Sequence, residues 1–198
     1  MVKRREVGQA SRPVRHTKPR FVYPDPMNLP TRVLLSICCL PLLSAAQSNL
    51  KTTVTQRYFN GVRKNLEAAA DAMPADKYGF KLTADQMSFA EWINHSTERN
   101  YSDCATLKSE TAPAAAGKVA SLKNKPEVAQ ALKDSLAYCS AALEGIDDQK
   151  VLASPQMTYS LLHIVVHNNE IYGNIVGYLR TSGILPPSTA SRLGQKAK

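Results

Sequence analysis

The chain has 198 residues, 43% hydrophobic and 21% charged, with a formal net charge of +9. That length can bury a core of one domain with segments to spare, and the composition excludes a wholly disordered chain. The charge excludes less than it suggests: residues 1–26 hold seven basic side chains against two acidic and Arg32 adds one, leaving +3 from residue 47 onward. A basic patch for nucleic acid has little support on that count, and no nucleic-acid partner is expected.

Residues 1–26 are Arg- and Pro-rich with almost no apolar run. They read either as a disordered leader or as an over-extended gene start before Met27. Residues 27–46 have the form of a secretory signal peptide. Arg32 precedes the apolar run "VLLSICCLPLL", and "SAAQ" places small residues before a cleavage point between Ala46 and Gln47. Eleven apolar residues are too few to span a bilayer as a stable helix. The alternative is a buried helix over Val33–Leu43, which the flanks fit less well. A lipoprotein signal is disfavoured because Ile37, not a small residue, precedes Cys38. The expectation is an exported, periplasmic or extracellular protein with residues 47–198 as its folded domain and no stable membrane span once the signal is removed.

Residues 47–198 show no useful strand alternation, and the class expected is all-α. A first helix is expected from about Ser48 to Met73, with Val54, Tyr58, Val62, Leu66 and Ala69 at steps of three or four. Pro74 stops it. Ser88 and Glu91 form a capping-box pattern at the head of a second helix, which runs through Trp92, His95, Tyr101 and Cys104 to about Lys108. Trp92 is expected in the core, and Asn94, Glu98 and Arg99 on a solvated face, with Glu98 also placed to orient a histidine. The loop that follows is Ala-rich and has room for a short turn. A third helix starts near Pro126, carries Val128, Leu132, Leu136, Cys139 and Leu143, and ends at Gly145. Ser154-Pro155 opens a fourth, which runs to about Thr181, closes at Gly183 and is kept from continuing by Pro186-Pro187. Four helices of about 20 residues read as a four-helix bundle.

Signal removal would leave Cys104 and Cys139, and an even pair in an oxidising compartment favours a disulfide. Such a bridge between the second and third helices would contribute about 3–4 kcal/mol by loop closure. Two separate buried thiols are the alternative.

The fourth helix carries "HIVVHNNE" from His163. At about 100° per residue, His163, His167, Glu170 and Asn174 form one polar stripe on an otherwise apolar helix. Imidazoles one turn apart in a bundle need partners, and a metal ion is one such partner. His95 on the second helix is the other histidine of residues 47–198 and can supply a third ligand. Three protein ligands and an open position suit a catalytic or thiol-binding ion. Hydrogen bonds to carbonyls or neighbouring polar groups explain such histidines more readily from the spacing alone. Tyr172, Tyr178 and Arg180 fit either a substrate entrance or, preferably, a bundle cap or dimer face.

The stretch "HNNEIYGNIVGYLRTSGILPPS" resembles the last helix of the DinB-like (DinB/YfiT) superfamily, especially its exported bacterial branch. "YFNGVRKNLEAAADAMPADKYGFKLTADQMSFAEWINH" is similar to that family's first helix, its Met-Pro stop and its approach to a helix-two histidine, and "LAYCSAAL" to its third helix. The resemblance covers about residues 49–188. It implies an up-down-down-up four-helix bundle, often a homodimer, with a divalent metal such as Zn²⁺ or Ni²⁺ held by three histidines. It also implies thiol-transferase-like or hydrolase-like activity.

Carried over by position, His95 and His167 match two of the ligands, and the third falls on Ile171, which has no lone pair to give. Either His163 substitutes from one turn earlier, or Glu170 swings in as a carboxylate ligand, or the metal has been lost. In the last case the chain is a non-catalytic binding or scaffold bundle. No substrate is indicated.

Overall fold

The computed structural model describes residues 49–196. The leader expected over residues 1–26 and the signal peptide expected over residues 27–46 lie outside them. Every regular element among the described residues is helical, which places this part of the chain in the all-α class.

Helix α1 is continuous over three segments, Leu50–Thr52, a π-helical stretch Thr53–Phe59, and Asn60–Ala72. The Asn49 side chain caps it by accepting from the Thr52 N–H at 2.7 Å. The π stretch changes the phase of the apolar stripe. A regular period puts Tyr58 inward, but Tyr58 is 54% exposed and Phe59 is fully buried. The wider turn inserts one extra residue, so the stripe steps from Val54 by five to Phe59 before continuing through Val62 and Leu66. Met73 ends α1 in an extended conformation, followed by Pro74 and a 3₁₀ turn at Ala75–Lys77.

Helix α2 spans Phe89–Lys108 and has both halves of its capping box. The Ser88 N–H donates to Glu91 Oε2 at 2.7 Å and the Glu91 N–H to Ser88 Oγ at 3.3 Å. A 3₁₀ segment, Ala114–Ser121, occupies the connection to α3, Lys125–Glu144, which Asn124 caps ahead of Pro126. A short helix α4, Asp148–Ala153, lies where only a connection is expected. Ser154 ends it and caps α5, Pro155–Thr181, with Pro155 in the first turn. Gly183 follows with φ +75°, a left-handed conformation that favours glycine. Pro187 then opens a further helix, α6, Pro187–Lys196. Pro186-Pro187 does prevent continuation of α5, but a proline is also at home in a first helical turn, where its missing N–H costs nothing.

Helix α2 packs on both α3 and α5, and α1 packs on α5 and α3. Directions follow from residue pairs. The end of α1 meets the start of α3, since Lys125 Nζ donates to the carbonyls of Asp71 and Met73, and farther along Arg63 reaches Ser140. These helices are antiparallel. Trp92 donates to the Tyr178 hydroxyl at 3.1 Å while Asp103 meets His163, so α2 and α5 are antiparallel as well. Asn100 meets Ser135 and Cys104 is disulfide-bonded to Cys139, so α2 and α3 run the same way. The bridged cysteines are fully buried and close a 35-residue separation. Loop-closure entropy makes such a bridge worth about 4 kcal/mol.

A polar network crosses the apolar core. Ser96 Oγ donates to Asn168 Oδ1 at 2.7 Å, Asn168 Nδ2 donates to Asn100 Oδ1 at 2.7 Å, and Asn100 Nδ2 donates to Ser135 Oγ at 3.1 Å. Removing one member leaves buried groups unpaired, which costs more than a single hydrogen bond contributes. Asn168→Ala is therefore expected to lower unfolding stability by about 2–3 kcal/mol, and Asn169→Ala, at the exposed neighbouring position, by less than about 0.5 kcal/mol. Urea denaturation of the two variants measures this, and equal losses would contradict the network's role.

Candidate metal centre on helices α2 and α5

One edge of the α2–α5 contact holds three histidines. His163 and His167, one turn apart on α5, lie face to face with ring centroids 4.7 Å apart and planes 15° from parallel. His95 on α2 meets His167 edge-on at 4.9 Å. Tyr159 extends the row, stacked on His163 at 5.1 Å. The sequence-predicted ligands His95, His163 and His167 are thus brought together across two helices.

A carboxylate holds one ring, and a second carboxylate lies near another. His163 Nδ1 lies 2.6 Å from Asp103 Oδ2, and the Asp103 side chain is only 4% exposed. A carboxylate accepts there, so Nδ1 carries a proton, and in the neutral imidazole Nε2 then keeps its lone pair. Arg99 lies 3.6 Å from the other Asp103 oxygen, which pairs the buried charge on a second side. His167 Nδ1 faces Glu170 at 3.7 Å, although the Glu170 side chain is 67% exposed. Glu170 therefore sits on the Nδ1 side of His167, where it can orient the ring. The opposite nitrogen, His167 Nε2, is buried with no hydrogen-bond partner. Buried polar atoms are rarely left so, and an unpaired one calls for a partner such as a water or an ion.

Ile171, at the position matching the resemblance's third ligand, is 0% exposed and lies in the apolar core. Among the described residues no three His, Cys, Asp or Glu side chains stand as a ready-made group for a metal ion. The donor chemistry is that of a metal ligand set, but the stacked rings must turn to converge on one ion.

A cleft of about 290 Å³ opens beside His95, lined also by Asn94, Glu98 and Lys123. Asn94 is buried rather than solvated. Its amide donates to the Leu122 carbonyl at 2.9 Å, tying α2 to the 3₁₀ connection. Trp92 is partly buried against the core. Tyr178 is buried, donating to the Met87 carbonyl, and Tyr172 is buried with its hydroxyl paired to Ser188, so both act within the chain. Arg180 is exposed. Asp103 escaped the sequence reading because a lone aspartate mid-helix looks like surface; its spacing from Asn100 and Ser96 on the same face was the available signal.

Burial holds the His167 imidazole below its ordinary pKa of 6.5, and the neighbouring His163, His95 and Arg99 add to the effect against the opposing pull of Glu170. The folded chain thus resists protonation that the unfolded chain accepts. The contribution is fully present above pH 6.5 and is lost as pH falls below it. Stability is expected to fall between pH 7.5 and 5.5, and His167→Gln to flatten that slope. Urea melts at both pH values, with an NMR titration of the imidazole, measure this. Titration of His167 at or above its ordinary value would contradict it. No family model, curated protein or solved structure matches the chain, so the geometry of the site carries the functional argument.

Proposed function

We propose that the chain is an exported helical-bundle protein of DinB/YfiT type that binds one divalent metal ion through His95, His163 and His167. The observation that carries the reading is the arrangement of Nδ1 atoms. His163 commits its Nδ1 to buried Asp103, His167 turns its Nδ1 toward Glu170, and each keeps Nε2. Carboxylates behind histidines in this way set the tautomer and raise ligand basicity in metal sites. His163 then takes the place that Ile171 cannot fill, in a register shifted by one turn.

The bundle type is supported by the helix pairings. With α1 and α5 running one way and α2 and α3 the other, the four long helices read as up-down-down-up. Export is supported by the buried Cys104–Cys139 disulfide, which suits an oxidising compartment. A homodimer is supported by the exposed Tyr159, Leu162 and Val166, which lie in one row along α5.

A bound zinc-like ion supplies Lewis acidity toward an oxygen ligand or stabilises a thiolate, the chemistry a thiol-transferase or hydrolase needs. The chain's own residues do the rest. Asp103 accepts from His163 Nδ1, Arg99 lies against the other Asp103 oxygen, and the cleft beside His95 admits the reacting molecule with Glu98 and Lys123 at its walls.

The second reading is a non-catalytic scaffold that has lost its metal, favoured by the stacked rather than converging rings of His163 and His167. Calorimetric titration with zinc and nickel separates the two. The metal reading predicts one ion per chain, with binding reduced at least tenfold by His163→Ala and about 10–100-fold by Asp103→Asn. The scaffold reading predicts no stoichiometric metal in the wild type and metal only in Ile171→His. Binding that His163→Ala leaves unchanged would also sink the shifted register.

A further inference from the structure

A second cleft, of about 480 Å³, lies between α1 and α6, away from the histidines in sequence and built from different helices. It is lined by Gly61, Lys64 and Asn65 from α1 and by Ser188, Ser191 and Arg192 from α6. Two cationic residues line it from separate elements. An amide and two hydroxyls add neutral donors, and no lining residue is acidic. Neither Lys64 nor Arg192 makes an ion pair among the described residues. The nearest acidic residue on α1, Glu67, is already committed to Arg63 at 2.9 Å. Helix α6 itself carries no acidic side chain.

Ser188 is held in place from below. The Tyr172 hydroxyl donates to Ser188 Oγ and accepts from the Ser188 N–H, each at 2.9 Å. The serine hydroxyl keeps its own hydrogen for another acceptor. The next two backbone donors of α6, Thr189 and Ala190, both go to the Pro186 carbonyl. The helix terminus is thus already satisfied, and any ligand must be recognised by side chains.

We propose that this cleft binds a phosphate-type oxyanion. Lys64 and Arg192 supply the charge, and Ser188, Ser191 and Asn65 donate to the remaining oxygens. The group arrives either as a free phosphate or as the headgroup of an anionic lipid; the same side chains serve both. Since α6 is the last described helix, occupancy would also fasten it to α1.

The test titrates the full chain with inorganic phosphate by NMR and, separately, measures sedimentation with phosphatidylglycerol vesicles against phosphatidylcholine controls. Lys64→Gln and Arg192→Gln are compared with Lys118→Gln, at an exposed position elsewhere. Saturable phosphate shifts at Ser188 and Ser191, weakened about tenfold by either of the first two variants and unchanged by the third, would support a free oxyanion. Binding only to anionic vesicles, with the same variant pattern, would support the headgroup source. No binding to either probe, or equal loss in all three variants, would overturn the proposal. Because Lys64 and Arg192 are exposed, unchanged melting temperatures are expected and exclude a folding defect. None of these outcomes depends on whether the histidines hold a metal.

Discussion

Helix α2 buries polar side chains on the face where a bundle helix normally buries apolar ones, and each needs a partner. Asn94, Ser96, Thr97, Asn100 and Asp103 are all buried. Leaving such groups unpaired costs enough to compete with the whole margin of stability, so the fold is constrained to satisfy them. Asn94 reaches the connection before α3, Ser96 and Asn100 reach Asn168 on α5, Asn100 reaches Ser135 on α3, and Asp103 reaches His163. Together with the Cys104–Cys139 bridge, these bonds fix α2 against its neighbours in one register. A slip of a single turn would unpair several of them at once. The histidine cluster is a consequence: with α2 and α5 locked at Ser96–Asn168 and Asp103–His163, His95 is brought beside His167.

The proposed shift of the site by one turn also has a basis in helix geometry. Residues four apart advance about 40° around an α-helix. His163, His167 and position 171 therefore do not sit in a straight column but drift from the edge of the bundle toward its axis. The side chain of His163 is 21% exposed, that of His167 15%, and Ile171 is fully buried. An isoleucine at the deepest point completes the apolar core, while the two imidazoles above it stay near solvent. A centre built from His163 and His167 is thus shallower than one using position 171, and it gains Asp103 as a buried support.

Much of this was legible in the sequence, because local signals carried it. Ser88 with Glu91, Ser154-Pro155, Pro74 and Gly183 mark helix ends through hydrogen bonds and backbone angles that depend on near neighbours, and the helices begin and end there. The cysteine pairing followed from parity and compartment. What escaped depends on distant residues. The π turn in α1 has no local signature, so Tyr58 was assigned inward in place of Phe59. Asn94 and Asp103 look like surface until α5 and the connection before α3 are in place to pair with them. Pro187 was read as a stop, although the same residue type starts helices. Ile171 was recognised as unable to ligate, but that Glu170 faces the Nδ1 side of His167 is a matter of rotamer and could not be read from spacing.

In the proposed site His163, backed by Asp103, replaces the ligand that Ile171 cannot provide. The most direct measurement is an anomalous difference map from crystals of the zinc-loaded wild-type chain. One ion is expected at about 2.0–2.1 Å from nitrogens of His95, His163 and His167, with His163 Nδ1 still bonded to Asp103. An ion bound without His163, or full zinc exposure with no ion at the cluster, would contradict it.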